Sequence, residues 1–146
     1  MNMSTEIRVR TGQRYRRLYN DLKNLAVGDM HELFFLCACI GYKNKKIKPL
    51  GKDKEDRFWS KTFSPEEWAC FYSMMLEENN MDLHAIQDDK KVIERMEEYA
   101  NAGMEILLDE FLSDYLAKSN SEPRLDISHS KELPKTILYF IREQIL

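Results

Sequence analysis

Glycine and proline are scarce in this chain of 146 residues, at 5 and 4 copies. That scarcity excludes a collagen-like or loop-dominated protein. Long apolar runs are absent as well: none approaches the ~18 residues a membrane helix requires, so no membrane is expected as a partner. Met1 to Arg17 carries charges with no apolar stretch behind it, so no secretory signal is expected. Cysteine is sparse and odd in number, with Cys37, Cys39 and Cys70. Three thiols without a signal segment are expected to be reduced in a cytoplasm. The chain lacks Cys-x-x-Cys, His-Glu-x-x-His, Gly-x-Ser-x-Gly and any phosphate-cradling glycine loop. His31, His84 and His129 are dispersed, and Cys37 and Cys39 would point roughly 200° apart on a helix. No metal, no cofactor and no catalytic residue is therefore expected, and the protein reads as a non-enzyme.

What the chain has in quantity is charge, unevenly spread. The net of −3 conceals a basic half. Residues 1–61 hold 14 Lys and Arg against 7 Asp and Glu, and residues 62–146 hold 8 against 18. Such asymmetry points to an anionic partner for the basic half.

The spacing of apolar residues predicts an all-α or mostly α fold. It is a single domain over 1–146, a bundle of five or six helices with a basic loop and room for one short strand pair near Phe58. Residues 1–12 read as frayed. Tyr15, Leu18, Tyr19 and Leu22 mark one face of a helix over about Gln13 to Leu25. Met30 to Tyr42, apolar nearly all round, reads as the central buried helix, with Asp29 as its N-cap. Ser64-Pro65-Glu66-Glu67 is a capped helix start, and a short turn is expected around Asp82 to Ile86. The longest helical pattern runs from about Lys90 to Ala117. Gly103 inside it costs about 1 kcal/mol against Ala, so close packing, a bend or a break is expected there. Glu94, Glu97, Glu98, Glu105, Asp109 and Glu110 read as its solvated face. Residues 119–130 read as a surface loop, and a last helix over Leu133 to Ile145 should turn Ile137, Leu138, Ile141 and Ile145 inward.

Lys43, Lys45, Lys46, Lys48, Lys52 and Lys54 surround Pro49 and Gly51, and Arg14, Arg16 and Arg17 join them if the first helix packs nearby. Lysine-rich loops make sequence-independent phosphate contacts. The same residues also suit an acidic protein surface or a merely solvated face, and these readings stay open at this point. Phe58 and Trp59 suit base stacking or, more simply, the core. Asp53, Glu55 and Asp56, interleaved with Lys52, Lys54 and Arg57, superficially resemble a metal-dependent nuclease set. Such sites require converging carboxylates on adjacent strands, whereas this segment reads as one mixed-charge loop.

Two blocks carry a family resemblance. One is the Met30-His-Glu-Leu-Phe-Phe-Leu-Cys-Ala-Cys-Ile-Gly-Tyr-Lys-Asn-Lys-Lys-Ile-Lys-Pro-Leu50 stretch. The other is Glu97-Glu-Tyr-Ala-Asn-Ala-Gly-Met-Glu-Ile-Leu107, with Arg57-Phe-Trp-Ser60 between them. Over Gly28 to Asp114 they resemble the small family numbered fourth among the proteins associated with the Dnd DNA-phosphorothioation system. Ala102 departs from the glycine typical of that pattern. The resemblance implies prokaryotic cytoplasm, DNA sulphur modification and anti-phage defence, and it brings no catalytic residues. The expected role is an accessory subunit that touches DNA or a larger protein subunit through the basic residues. The alternative is a purely protein-binding adaptor of an ATPase-driven complex. Tyr99, Asn101 and Gly103 are candidates for a signature surface, or else for a backbone hydrogen bond and a helix crossing.

Overall fold

The computed structural model describes residues 6–117, 122–126, 128 and 131–145. Five α-helices carry the fold: α1 Arg16–Leu22, α2 Met30–Lys43, α3 Pro65–Glu78, α4 Asp89–Leu107 and α5 Leu133–Ile145. One antiparallel pair of strands, β1 Arg8–Gly12 and β2 Lys54–Trp59, joins them. The mostly helical fold with one strand pair is the expected class.

Local chemistry sets the helix ends. At α3, the Glu67 N–H donates to Ser64 Oγ at 3.1 Å and the Ser64 N–H donates to Glu67 Oε1 at 2.8 Å. This is the reciprocal capping box that Ser64-Pro65-Glu66-Glu67 encodes. Glu67 also holds His31 Nδ1 at 2.9 Å and so ties α3 to the start of α2. Asp29 occupies the N-cap position of α2 without a side-chain cap bond. Before it, Gly28 at φ +93° lets the chain turn, and the Gln13–Val27 and Met30–Lys43 segments meet at 105°.

The core forms around α2 and α4. Phe34 sits among Phe58, Phe63 and Phe71 with ring centroids at 5.6, 5.7 and 6.3 Å. Gly41 and Gly103 mark the point where α2 and α4 cross. A Cβ on Gly41 would stand 2.0 Å from the Tyr99 carbonyl oxygen, and one on Gly103 would stand 1.8 Å from that of Cys37. Backbone touches backbone here, so of the close packing, bend or break expected at Gly103 the structure has the close packing.

Four expectations need correcting. Residues Arg8–Gly12 are not frayed but form β1, with Val9 and Thr11 buried and Arg8 and Arg10 outward; the arginines mask a period-two pattern. Residues 1–5 lie outside the described residues. The long helix ends at Leu107 and continues as a wider π turn, Leu108–Leu112, and a 3-10 turn, Ser113–Tyr115. Within the 119–130 loop, Leu125 is buried and bridges Leu116, and its N–H donates to Asp21 at 2.9 Å. Residues 118–121, 127, 129 and 130 lie outside the described residues. On α5, Leu133, Ile137 and Phe140 face inward at the i, i+4, i+7 spacing, which leaves Leu138 66% exposed beside Tyr139. The side chain of Ile145 lies outside the described residues.

The crossing yields a prediction in which two effects oppose each other. Helix propensity favours Gly103→Ala by about 1 kcal/mol. The clash with the Cys37 carbonyl cannot be relieved by a rotamer change and outweighs that gain. The variant should lose about 3 kcal/mol or more in urea unfolding; a variant as stable as the parent would contradict the close crossing.

Candidate polyanion-binding surface

The loop between α2 and β2 is built rather than slack. α2 ends in a Schellman arrangement, in which the Lys46 N–H donates to the Gly41 carbonyl and the Lys45 N–H to the Tyr42 carbonyl, both at 3.0 Å. That motif needs a left-handed residue after the cap, and Lys45 fills the position at φ +54° where glycine is usual. Further along, the Lys48 N–H donates to the Glu98 carbonyl at 3.0 Å, and Asn101 Nδ2 donates to the Lys48 carbonyl at 3.0 Å. The Gln13 N–H reaches the Asp53 carbonyl at 3.2 Å. The loop backbone is therefore pinned to α4 and to the end of β1, while Lys43, Lys45, Lys46 and Lys52 face outward.

The nine basic candidates divide by this geometry. Lys43, Lys45, Lys46, Lys52 and Lys54 are exposed, and among the described residues none has a carboxylate within ion-pair distance. Lys48 turns inward, where its Nζ donates to Tyr15 Oη at 3.1 Å and to Glu105. The Lys48 ammonium holds the Glu105 carboxyl below its usual range. Arg14 lies over the Tyr15 ring at 5.0 Å, so it joins the loop through the residue Lys48 also touches. Arg16 and Arg17 share Glu122, at 3.1 and 3.5 Å, and are spoken for.

The charges are not segregated as the halves of the sequence suggest. Lys45 and Lys46 line one groove with Glu105, Asp109 and Glu110, and Lys43 lines another with Glu77 and Glu78. The loop is a basic ridge with acidic flanks. The signature residues lie inside: Tyr99 and Asn101 are 6% and 5% exposed and Gly103 is at the crossing. Asn101 makes the backbone bond, and Tyr99 packs edge-on against Tyr42 at 5.5 Å.

The candidate nuclease carboxylates do not converge. Asp56 serves Arg8 and Arg10 at 3.5 and 3.1 Å, while its neighbour Glu55 turns to Arg57. Asp29, His31 and Glu32 bring ligating atoms within 4.8 Å of one another at the start of α2, but the acids are exposed and His31 Nδ1 is engaged by Glu67. Burial pushes the Cys37 and Cys39 thiols up to about 12, which leaves them unreactive.

One residue is hidden from a reading of the sequence. Glu97 belongs to the apolar row Ile93–Glu97–Asn101 and is 9% exposed, not on the wet face. The strand register jumps between Val9 and Arg10, so that Arg57 has no partner opposite. At this bulge the Arg10 N–H turns to Glu97 Oε2 at 2.7 Å. Burial raises the Glu97 carboxyl to about 7, against the lowering effects of the Arg10 N–H and guanidinium. The i+4 spacing from Ile93 is the signal that marks it.

A small, mainly helical protein that displays a braced lysine ridge, with no converging catalytic set among its described residues, is the class defined here. The family described as DNA sulphur modification system-associated protein 4 matches residues 8–132, and the chain belongs to that family. The match takes in β1 and α1, beyond the Gly28 to Asp114 stretch that the motifs mark. No curated protein and no solved structure matches the chain.

Two predictions test this arrangement. Lys45→Gly should relieve the left-handed strain and raise stability by up to about 1 kcal/mol in urea unfolding, while removing one ridge cation. Glu97 should make stability fall as pH rises from about 4.5 to about 7, because the folded chain holds the proton that the unfolded chain releases. The effect is at most on the order of 3 kcal/mol. Glu97→Gln keeps an acceptor for Arg10 and should flatten that part of the pH profile, so that the variant gains on the parent at pH 8 relative to pH 5. A profile unchanged by the substitution would contradict a raised Glu97.

Proposed function

We propose that this protein is a non-catalytic accessory subunit of the cytoplasmic DNA sulphur modification machinery, docking on the DNA backbone through Lys43, Lys45, Lys46, Lys52 and Lys54. The observation that carries this reading is the combination of a pinned loop backbone with exposed ammonium groups that have no carboxylate partner among the described residues. Phosphates gain from such groups through counterion release, without any base-specific contact. The acidic flanks restrict the approach of a polyanion to the crest of the ridge, which suits docking in one orientation better than coating.

A second reading is favoured by α5. Leu138 and Tyr139 stand 66% and 68% exposed on one side of it, and paired exposed apolar side chains suit a larger protein subunit. In that reading the chain is an adaptor and the ridge meets an acidic protein surface.

Fluorescence anisotropy with a labelled duplex separates the two. On the DNA reading, affinity is measurable at low salt and falls linearly on a log–log salt plot. A Lys43/Lys45/Lys46/Lys52→Ala variant should shallow that slope by roughly 0.9 for each phosphate it no longer neutralises. Absence of binding at low salt, or a variant that binds as the parent does, overturns it. Co-purification of a partner that survives nuclease treatment and is abolished by Leu138→Asp supports the adaptor.

A further inference from the structure

Beside the lysine ridge lies a cleft of about 710 Å³, whose lining shares only Lys54 with the docking residues. The loop runs directly into it, since Pro49, Leu50 and Lys54 form part of its wall. From α4 the lining takes Ile93, Glu94 and Glu97, and from β2 it takes Trp59.

Three features of this cleft point to one kind of occupant. Trp59 is 41% exposed, whereas Phe58, its neighbour, is partly buried against the core. The Arg8 guanidinium lies over its indole at 4.5 Å from the ring centroid, so a cation and an aromatic ring are already paired within the lining. Flat, sequence-tolerant stacking on such platforms is how proteins hold unpaired bases. Glu97 uses Oε2 for the Arg10 N–H, and among the described residues Oε1 has no protein partner. The carboxylate thus offers an open oxygen and a remaining lone pair, side by side, on a side chain that lines a cleft of the size small ligands occupy. Lys54 lines the same cleft and belongs to the free ridge cations, so a backbone phosphate and a base can be engaged together.

We infer that this cleft receives an unpaired guanine base of DNA, stacked on the Trp59–Arg8 pair, with the guanine N1–H and N2–H donating to Glu97 and the adjoining phosphate meeting Lys54. Guanine is the base that presents two neighbouring donors on its pairing edge. Adenine and cytosine present one amino group beside an acceptor, which would face a carboxylate oxygen unfavourably, and thymine presents a single N–H between two carbonyls. The inference rests on the DNA-docking reading and adds to it a base-reading pocket.

The test compares short oligothymidylate strands carrying one central guanine, one adenine or one abasic position, read by tryptophan fluorescence and by competition. The guanine strand should bind roughly tenfold or more tightly than the abasic strand and should quench fluorescence. The guanine preference over adenine should collapse in Glu97→Gln, and the quench should vanish in Trp59→Phe. Deoxyguanosine monophosphate alone should compete weakly, because it cannot reach the ridge lysines as a strand does. Equal affinity for guanine and abasic strands, with salt-dependent binding intact, overturns the pocket and leaves the docking reading standing. No binding by any strand or duplex overturns both. Because the first comparison changes only the ligand, it holds even if a variant folds poorly.

Discussion

The contact of two helix backbones at Gly41 and Gly103 is the constraint on which the rest of the structure depends. Any side chain at either position would have to pass through a carbonyl of the facing helix. With both absent, α4 approaches α2 closely enough for its polar groups to act on the segment that leaves α2. Asn101 reaches the Lys48 carbonyl and Glu98 takes the Lys48 N–H. Gly12 sits against the same asparagine, since a Cβ there would stand 2.7 Å from Asn101 Oδ1. The end of β1, the loop and α4 are thereby locked to one another. Tyr99, Asn101 and Gly103 act through this packing and not as an exposed surface.

The electrostatic consequence runs through Lys48. A lysine pinned by its backbone must send its side chain somewhere, and Tyr15 with Glu105 draws it inward. The lysines on either side are left facing water. Their field is short-ranged at physiological salt, where screening acts over about 8 Å. What an approaching polyanion meets is the ridge and its immediate flanks, not the net charge of −3. Glu105, Asp109 and Glu110 close one flank, and Glu77 and Glu78 the other. The sum over each half of the chain is therefore a weaker guide to binding than the order in which the loop displays its side chains.

Legibility in the sequence followed the range of the interactions. Features set within one stretch of chain were readable, such as the Ser64 capping box and the apolar wrap of α2, whereas Gly103 left close packing, a bend or a break open until its contact with Cys37 decided between them. Features that depend on partners far along the chain were not. A short strand pair near Phe58 is expected from the sequence, but not that its partner is β1, more than forty residues away, and the bulge that places Arg57 inside, with its Nε on Thr11 Oγ1 at 3.0 Å, has no local signature. The six loop lysines looked equivalent in sequence. Only the contact with Tyr15 and Glu105, contributed by two other elements, sets Lys48 apart. Likewise, the adjacent Glu97 and Glu98 look alike in sequence, although only Glu97 occupies the row of Ile93 and Asn101.

Glu97 is the residue whose presence packing explains least. The Arg10 N–H freed by the bulge needs an acceptor, and burying it without one would cost roughly 1–3 kcal/mol. A neutral amide would meet that need. A carboxylate meets it at a further cost, because burial disfavours its charge and raises its proton affinity to about 7. The extra cost is recovered only if something else uses the charge or the second oxygen. The charges of Arg10 and Lys54 recover only part of it, since the carboxyl stays raised, and the second oxygen belongs to a side chain that lines the same cleft as Trp59 and Arg8. A group that is expensive for the fold and open toward a stacking platform is better accounted for by a ligand than by the core.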